Sequence, residues 1–543
     1  MFASLQQVTG SLYSNALYNK DLLDGYFLRK AREQGIRLPT GGEPEVFNYL
    51  GAFVETTTAG INENVVYCDL ASLYPNNIRT LNGSIETIVG TREDLKQSQY
   101  TEGDCVWGYV DTRPVKHVEK GEPWQQYTDG QYKMVYEPET PSVKWTCDDG
   151  AGPRYEKLYF LDHDVQAGFL PSCVEDLLAL KERYRGTPLY AATKRVVNSI
   201  YGMVSYATQH GSSRMYDWRL AEAITLTGRK IIQHSRDKIL EYLHENGYEN
   251  AYACSGDTDA TAVAVPSAST RHETMEVVGE AVERLNEHGY DEFLNEACGV
   301  SPENTFMEIE IESYAPRLFI PSQNPPHDDI GVKKRYIQWE TWNDDDGECD
   351  DISITGLEAE RSDVAPITKQ AQRAFAAQLR ESDSTARENL FPTLRDYAAA
   401  IAGGKMDIDR VCKRGGIGQP LTEYGAADRT PAPLYRGAKY ASREIDGVTI
   451  QHGDKPRLVY VDSVGDGMAT TYRAQTAEDG DPVDAIAVNN VANLPADVTV
   501  DWERHLEKVL IDPMKPLLET RFGGDAWSEI RHGHEQQGLE AFS

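Results

Sequence analysis

Asp257 and Asp259 sit one residue apart in Gly256-Asp257-Thr258-Asp259, between two runs of small and apolar residues, 252–255 and 260–265. Strand-like runs that enter and leave a Gly-Asp turn predict a β-hairpin with two carboxylates at its tip. Two acids on a rigid turn are what a pair of Mg²⁺ ions requires. Gly and Asp are also ordinary turn formers, so this stretch alone leaves both readings open. A further acid stands far upstream. Asn64-Val-Val-Tyr-Cys-Asp69 reads as a buried strand that delivers Asp69 at its C-terminal end. It continues as Leu70-Ala-Ser-Leu-Tyr-Pro75, where the proline is expected to stop the strand and a helix to follow. An Asp at a strand end suits a metal, and the N–H groups of the adjoining turn suit phosphate.

Elements must bring these acids a substrate. Leu170-Pro-Ser172 makes a helix start, and Val174, Leu177, Leu178 and Leu180 give it an apolar stripe. Gly186 ends that helix, and Thr187-Pro188 opens a second with an N-cap and a proline at its first position. In this helical hairpin Lys181 and Arg185 are expected on one face of the first helix. Lys194, Asn198 and Tyr201 recur at i, i+4 and i+7 on the second. Such groups grip phosphate or a base. A solvated face explains the basic residues but not the Asn-Ser-x-Tyr-Gly ending.

Residues 1–60 alternate short polar helices with turns, and 49–54 form a strand-like run broken by glycine. A charge-rich, strand-containing insertion is expected at 96–157, and a long amphipathic helix at 215–245. Helical stretches are expected at 271–296, 365–381, 385–402 and 502–521. The alternating run 305–311 puts Glu308, Glu310 and Glu312 on one face of a strand. Lys333-Lys334-Arg335-Tyr336 is a basic cluster in strand context. Residues 343–351 read as a solvated acidic loop whose spacing lacks the Ca²⁺-loop pattern. The Gly-rich interval with Lys413, Arg414, Arg436, Lys439 and Arg443 reads as part of a separate, mostly helical domain with a positive face.

With 543 residues the chain has room for several domains. No apolar run approaches a membrane span, and the N-terminus lacks the pattern of a signal peptide. The 8 cysteines include no Cys-x-x-Cys pair, which argues against a zinc site or a disulfide framework and fits a reducing interior. A soluble, cytoplasmic protein is expected. The net charge of −32 is unfavourable for holding a polyanion. Either the partner is not nucleic acid, or the surface is that of a halophile, where molar salt shortens the Debye length to ~3 Å. Scarce lysine and acids spread along the whole chain favour the halophile, with binding surfaces made from local basic clusters.

In order, these motifs resemble a family B DNA polymerase. Asp69-Leu-Ala-Ser-Leu-Tyr-Pro75 is similar to the family's first carboxylate motif, Lys194 to Gly202 to its Lys-x-x-x-Asn-Ser-x-Tyr-Gly motif, and SGDTDA to its Tyr-Gly-Asp-Thr-Asp-Ser hairpin. GFLPS, MEIEIE, KKRY, GLEAERSD, YRGAKYASRE and IQHGDKPRLVYV continue the match, so that it covers roughly residues 10–525 apart from the insertion. The resemblance implies an α/β (α+β) right-hand fold with an antiparallel-sheet palm, a two-helix fingers hairpin and a mostly helical thumb. Its expected divisions are 1–60 before the palm, 61–168 and 205–364 as palm, 169–204 as fingers, 365–527 as thumb and 528–543 as a flexible tail.

The implied activity is addition of deoxynucleotides to a primer 3′ end with two Mg²⁺ ions, or Mn²⁺ in their place. Asp69 and Asp259 would bridge the metals with the Leu70 carbonyl, Asp257 would support them, and Glu310 would be an additional carboxylate. Amides of Ser72 and Leu73, with Lys181, Arg185, Lys194 and Asn198, would hold the triphosphate. Tyr74 would lie under the sugar and Tyr201 against the nascent base pair. Tyr49, Gly51, Lys333, Lys334, Arg335, Tyr336 and Arg361 would contact primer–template DNA. In the tail, Gln536, Leu539 and Phe542 are similar to a sliding-clamp motif, with Ser543 in place of its last aromatic.

The sequence also departs from the family. Ser255 stands where Tyr is usual, Ala260 where Ser is, Ala52 for a second Gly, and Ser362 for an Arg. The family's Arg-x-x-x-Lys is Lys181-x-x-x-Arg185, which alters the phosphate contacts because Arg is bidentate and Lys is not. Only 68 residues precede Asp69, fewer than the family's proofreading exonuclease needs. A polymerase half is therefore expected, from a haloarchaeon or its virus, acting in the nucleoid or a host cytoplasm with a separate exonuclease subunit as a partner. A protein-primed polymerase using the 96–157 insertion is the enzymatic alternative, and a non-catalytic replication scaffold is the alternative from another class.

Overall fold

The computed structural model describes residues 2–10, 18–41, 47–49, 51–111, 115–116, 132–135, 144–147, 155–208, 211–326, 329–424, 432–464 and 484–531. They belong to two units, Met1–Glu55 with Val66–Glu312, and Thr56–Val65 with Ser313–Ser543. Among the described residues no helix is long and apolar enough to cross a membrane.

In the first unit, helix α1 (Asn19–Gln34) is closed by Gly35 at φ 72 and buries Leu22, Leu23, Tyr26 and Phe27. Strands β1 (Val54–Thr56) and β2 (Gly60–Leu70) lead into helix α2 (Leu73–Thr80). Val65, Val66, Tyr67 and Cys68 are buried in succession, the mark of a strand covered on both faces. The strand stops at Leu70, and Pro75 lies inside the first turn of α2 rather than at the strand end. That first turn needs no intrahelical N–H donor from Pro75.

Strands β3 (Cys105–Asp111) and β4 (Tyr155–Leu161), inside and just past the expected insertion, pair antiparallel with Trp107 opposite Tyr159. Helices α3 (Phe169–Arg183), α4 (Tyr190–Asn198) and α5 (Ile200–Ser205) form the expected helical hairpin, with two differences. The second helix starts after Leu189, not at Pro188, and it breaks at Ser199. Helix α6 (Trp218–Glu245) is the expected long helix. Asp217 caps it by accepting the N–H groups of Arg219 and Leu220, and Leu220, Ile224, Ile231, Ile232 and Ile239 form its buried stripe.

The hairpin β5 (Tyr252–Asp257) and β6 (Ala260–Ala264) follows as predicted. Helices α7 (Arg271–Arg284) and α8 (Tyr290–Cys298) and strand β7 (Ile309–Ile320) come next. The sheet of this unit runs β7–β2–β6–β5–β1. β2 and β7 each continue along the chain into the second unit.

In the second unit β7 pairs with β8 (Tyr336–Asn343), which pairs with β9 (Gly347–Thr355). The expected acidic loop is therefore mostly strand: only 344–346 form the tip, and alternating residues such as Ile352 and Ile354 pack on the core. Lys333 and Lys334 stand in a turn before β8, with Lys334 at φ 60, instead of in a strand. Helices α9 (Pro366–Ala377) and α10 (Asp383–Ala402) close over Phe319, Ile337, Phe375, Leu390 and Leu394. Next come α11 (Pro433–Glu444), the strands β10 (Arg457–Val464), β11 (Ala485–Val488) and β12 (Val498–Val500), and helices α12 (Trp502–Leu506) and α13 (Asp512–Phe522).

Helices dominate this stretch as expected, and strands β10–β12 add a second small core of Val459, Ile486 and Val488 under Tyr440 and Ala441. Arg436 does not belong to a positive face. It is 8% exposed and pairs with Asp484, which also takes Arg504 at 2.6 Å.

Candidate active site

Asp69 ends β2, and its neighbour Leu70 donates its N–H to the Asp259 carbonyl at 2.8 Å. The end of one strand is thereby tied to the tip of the hairpin, which brings Asp69 and Asp259 within electrostatic reach of each other. In the tip Asp257 pairs with Ala260 across a two-residue loop, and Asp259 N–H donates to the Asp257 carbonyl at 2.8 Å. The left-handed residue is Thr258 at φ 62, not the Gly or Asp expected to take that conformation. β7 supplies Glu310 and Glu312 from one face, while Glu308 precedes the strand and its backbone carbonyl accepts the Ala71 N–H at 2.9 Å.

Burial first, then the charges of Asp259 and Glu312, push the Asp69 carboxyl up to about 7; Lys194 opposes the shift and Glu310 adds to it. Glu312 therefore weighs on the site more than Glu310. The alternation in 305–311 signalled both, but gave no way to rank them.

Past Leu70 the turn to α2 places Ser72 at φ 54, and Leu73 begins the helix. Lys181 on α3 donates to Ser72 Oγ at 3.3 Å, and burial holds its ammonium below the usual lysine range. Lys181 and Arg185 do not share a helical face, because α3 ends at Arg183. Arg185 lies beyond that end and pairs with Glu182 at 2.9 Å. Lys194 and Asn198 are exposed on α4.

Tyr201 stands past the break, on α5. Ser199 Oγ donates to the Arg195 carbonyl at 2.8 Å, an i−4 bond of the kind that bends helices. The Tyr201 ring packs on Tyr74 at 4.7 Å, and its hydroxyl shares a 3.1 Å hydrogen bond with that of Tyr49. Burial raises both the Tyr201 and Tyr49 phenols. Room for Tyr74 comes from Gly228 on α6, where a Cβ would lie 3.2 Å from Tyr74 Cε1.

Arg229, the next residue, was missed from sequence. It donates to the Ala52 carbonyl at 2.9 Å and opposes the burial-driven rise of the Tyr74 phenol. Its only signal was a Gly-Arg pair interrupting an otherwise apolar helix face.

The donors around Asp69 are all hard carboxylate oxygens, which suits Mg²⁺ over a thiophilic metal. The acids whose charges add to the rise of the Asp69 carboxyl form a charge excess that a divalent cation relieves. Among the described residues no three His, Cys, Asp or Glu side chains lie close enough to hold a metal by themselves. Mg²⁺ does not need such a cage, since it keeps waters and takes substrate phosphates alongside one or two carboxylates. The residues present fit the ion.

Lys333, Lys334, Arg335, Tyr336 and Arg361 belong to the second unit. Arg335 pairs with Glu358 at 3.6 Å. Arg361 forms a two-pronged pair with Asp363 at 3.0 and 2.7 Å, which holds the Asp363 carboxyl below its usual range. Gln536, Leu539 and Phe542 lie outside the described residues.

The model of DNA polymerase family B matches residues 19–300. DNA polymerase II of Escherichia coli (strain K12) is 26% identical over 285 residues, 52% of this chain and 32% of that protein. The DNA polymerase of Archaeoglobus fulgidus is 23% identical over 521 residues, 96% of this chain and 53% of that protein. A solved structure of the family B DNA polymerase from Pyrobaculum calidifontis is similar in fold, with a TM-score of 0.55 at 20% identity over 95% of this chain and 53% of that one. The chain thus spans about half, or less, of the length of these relatives. With the family's model matched across more than half of its residues, the chain belongs to DNA polymerase family B.

Proposed function

We propose that this chain is a DNA-directed DNA polymerase that extends a primer 3′ end with deoxynucleoside triphosphates. The observation that carries the proposal is the 2.8 Å bond from Leu70 N–H to the Asp259 carbonyl, which ties the strand end bearing Asp69 to the turn bearing Asp259, with the Lys194 charge also felt at Asp69.

Asp69, Asp259, the Leu70 carbonyl and Glu310, with Glu312 beside them, would hold two Mg²⁺ ions, or Mn²⁺ in their place. Bound there, the metals supply the Lewis-acid charge for in-line phosphoryl transfer. Asp257 supports Asp259 from the other side of the turn. Lys181, Lys194 and Asn198 grip the triphosphate as charge and hydrogen-bond donors, Arg185 adds long-range charge, and the Ser72 and Leu73 amides face it from the start of α2. Tyr74 lies under the sugar, where its ring leaves no room for a 2′-hydroxyl, and Tyr201 abuts the nascent pair. Tyr49, Gly51, Lys333, Lys334, Arg335, Tyr336 and Arg361 contact primer–template DNA. A sliding clamp takes Gln536, Leu539 and Phe542. The net charge of −32 supports a halophilic setting for all of this.

The test is primer extension with Mg²⁺ in high KCl. Wild type is expected to add the nucleotide that the template dictates. Asp69→Ala and Asp259→Ala are each expected to lose about three orders of magnitude, the scale of several kcal/mol of transition-state charge stabilisation. Extension that survives either change overturns the assignment.

A further inference from the structure

The carboxylate turn has a support on its other side. The Phe53 carbonyl accepts the N–H of Thr258, the residue between Asp257 and Asp259, at 2.7 Å. Thr258 is β-branched and left-handed at φ 62, a strained conformation that persists only where neighbours enforce it. Phe53 is 7% exposed, and a Cβ on Gly256 would come within 2.9 Å of its ring carbon Cε1. Glycine at 256 therefore lets the ring sit directly against the strand that carries Asp257.

The segment is fastened behind Phe53. Arg229 donates to the Ala52 and Gly51 carbonyls at 2.9 and 3.4 Å, and its guanidinium lies 5.6 Å from the Phe53 ring centre. Just upstream, Tyr49 bonds the Tyr201 hydroxyl at 3.1 Å. Tyr201 follows the helix that carries Lys194 and Asn198.

We propose that residues 51–53 form a positioning strap, with Phe53 its positioning residue. The strap fixes the Asp257–Asp259 turn from the side opposite the Leu70–Asp259 bond and links that turn, through Tyr49 and Tyr201, to the nucleotide-gripping helix. The proposal rests on the polymerase reading of the site. Phe53 touches no reacting atom; it acts by holding Asp259 in place relative to Asp69. Misplacement of a catalytic group by ~1 Å costs up to about 10²-fold in rate.

Size compensation tests the strap. Gly256→Ala drives a methyl group into the ring, Phe53→Leu removes the ring, and the double variant does both. Two quantities are read: kcat and nucleotide KM for single-nucleotide addition, and the affinity for Mn²⁺ alone, titrated by electron paramagnetic resonance.

Gly256→Ala is expected to lower kcat by about 10-fold or more with KM within about two-fold, the pattern of a lost transition-state alignment. It is also expected to weaken Mn²⁺ binding. The double variant is expected to recover both relative to Gly256→Ala, and Phe53→Tyr, which keeps the ring, to behave as wild type. An unaffected Gly256→Ala, or a double variant as impaired as the product of the singles, overturns the strap. A wild type that shows the Mn²⁺ pattern but extends no primer sinks the polymerase reading and leaves the strap standing. A wild type that does neither overturns both.

Discussion

Asp69, half-buried, and His505, fully buried, are both ionisable groups that burial moves away from their ordinary values, in opposite directions. Asp69 is pushed up first by burial and then by the charges of Asp259 and Glu312. His505, fully buried, donates from Nδ1 to the Val411 carbonyl at 3.2 Å and accepts the Tyr460 N–H at Nε2, 3.0 Å away. Burial lowers its imidazole from an ordinary 6.5 to about 4. Between those values the unfolded chain takes up a proton that the folded chain refuses. The stability contributed by the neutral ring is therefore full above the unfolded value and is lost as pH falls through the folded one. The whole effect is worth about 3 kcal/mol. We expect the urea midpoint of His505→Gln to fall less between pH 7 and pH 4.5 than that of wild type; equal falls would contradict this. At this scale the sequence was readable where an acid sits in a local motif, as Asp69, Asp257 and Asp259 do. It flagged Glu312 without ranking it above Glu310, and it was silent on Arg229 and His505, whose roles come from partners distant in the chain.

Among the elements, the hairpin and the two-helix unit were legible because their start and stop signals are local: Gly186, the Gly-Asp turn and the apolar stripes. The break at Ser199 was not: besides the Ser199 Oγ bond to the Arg195 carbonyl, Asn19 takes Arg195 at 2.9 Å and donates to Ser199 Oγ at 2.9 Å from 180 residues away. Nor was the strand content after Pro433, since β10 finds its partner β11 only beyond the long interval 465–484. Arg436 shows the same limit. Read as a surface cation, it is instead the buried partner of Asp484 on α11, with Arg504 on the same carboxylate. Removing Arg436 leaves the Asp484 carboxylate with Arg504 alone and takes away a charge-assisted hydrogen bond made from a buried side chain, a loss of about 1.5–3 kcal/mol. Arg436→Ala should lower the denaturant midpoint of this region markedly, while Arg443→Ala on the exposed side of the same helix should leave it nearly unchanged; similar losses from both would count against the buried pair.

For the whole molecule, 86 acidic against 54 basic residues give the net charge of −32. Repulsion of that size works against a compact state, and salt screens it as the Debye length falls from about 10 Å at 0.1 M to about 3 Å at 1 M. The thermal midpoint should therefore rise with KCl across that range; a flat or falling midpoint would contradict a surface adapted to salt. On the proposed polymerase reading, the same charge requires that DNA be met by local cations such as Lys333 and Lys334, so extension should persist at KCl concentrations where binding by overall positive charge would be lost. The central claim is that Asp69 and Asp259 together make the reaction centre. Its most direct measurement is single-turnover incorporation of one nucleotide on a primed template with Mg²⁺ in high KCl, comparing wild type with Asp259→Asn, which keeps the shape of the side chain and removes its charge. The account predicts template-directed addition by wild type and essentially none by Asp259→Asn; addition at a wild-type rate by Asp259→Asn would contradict it.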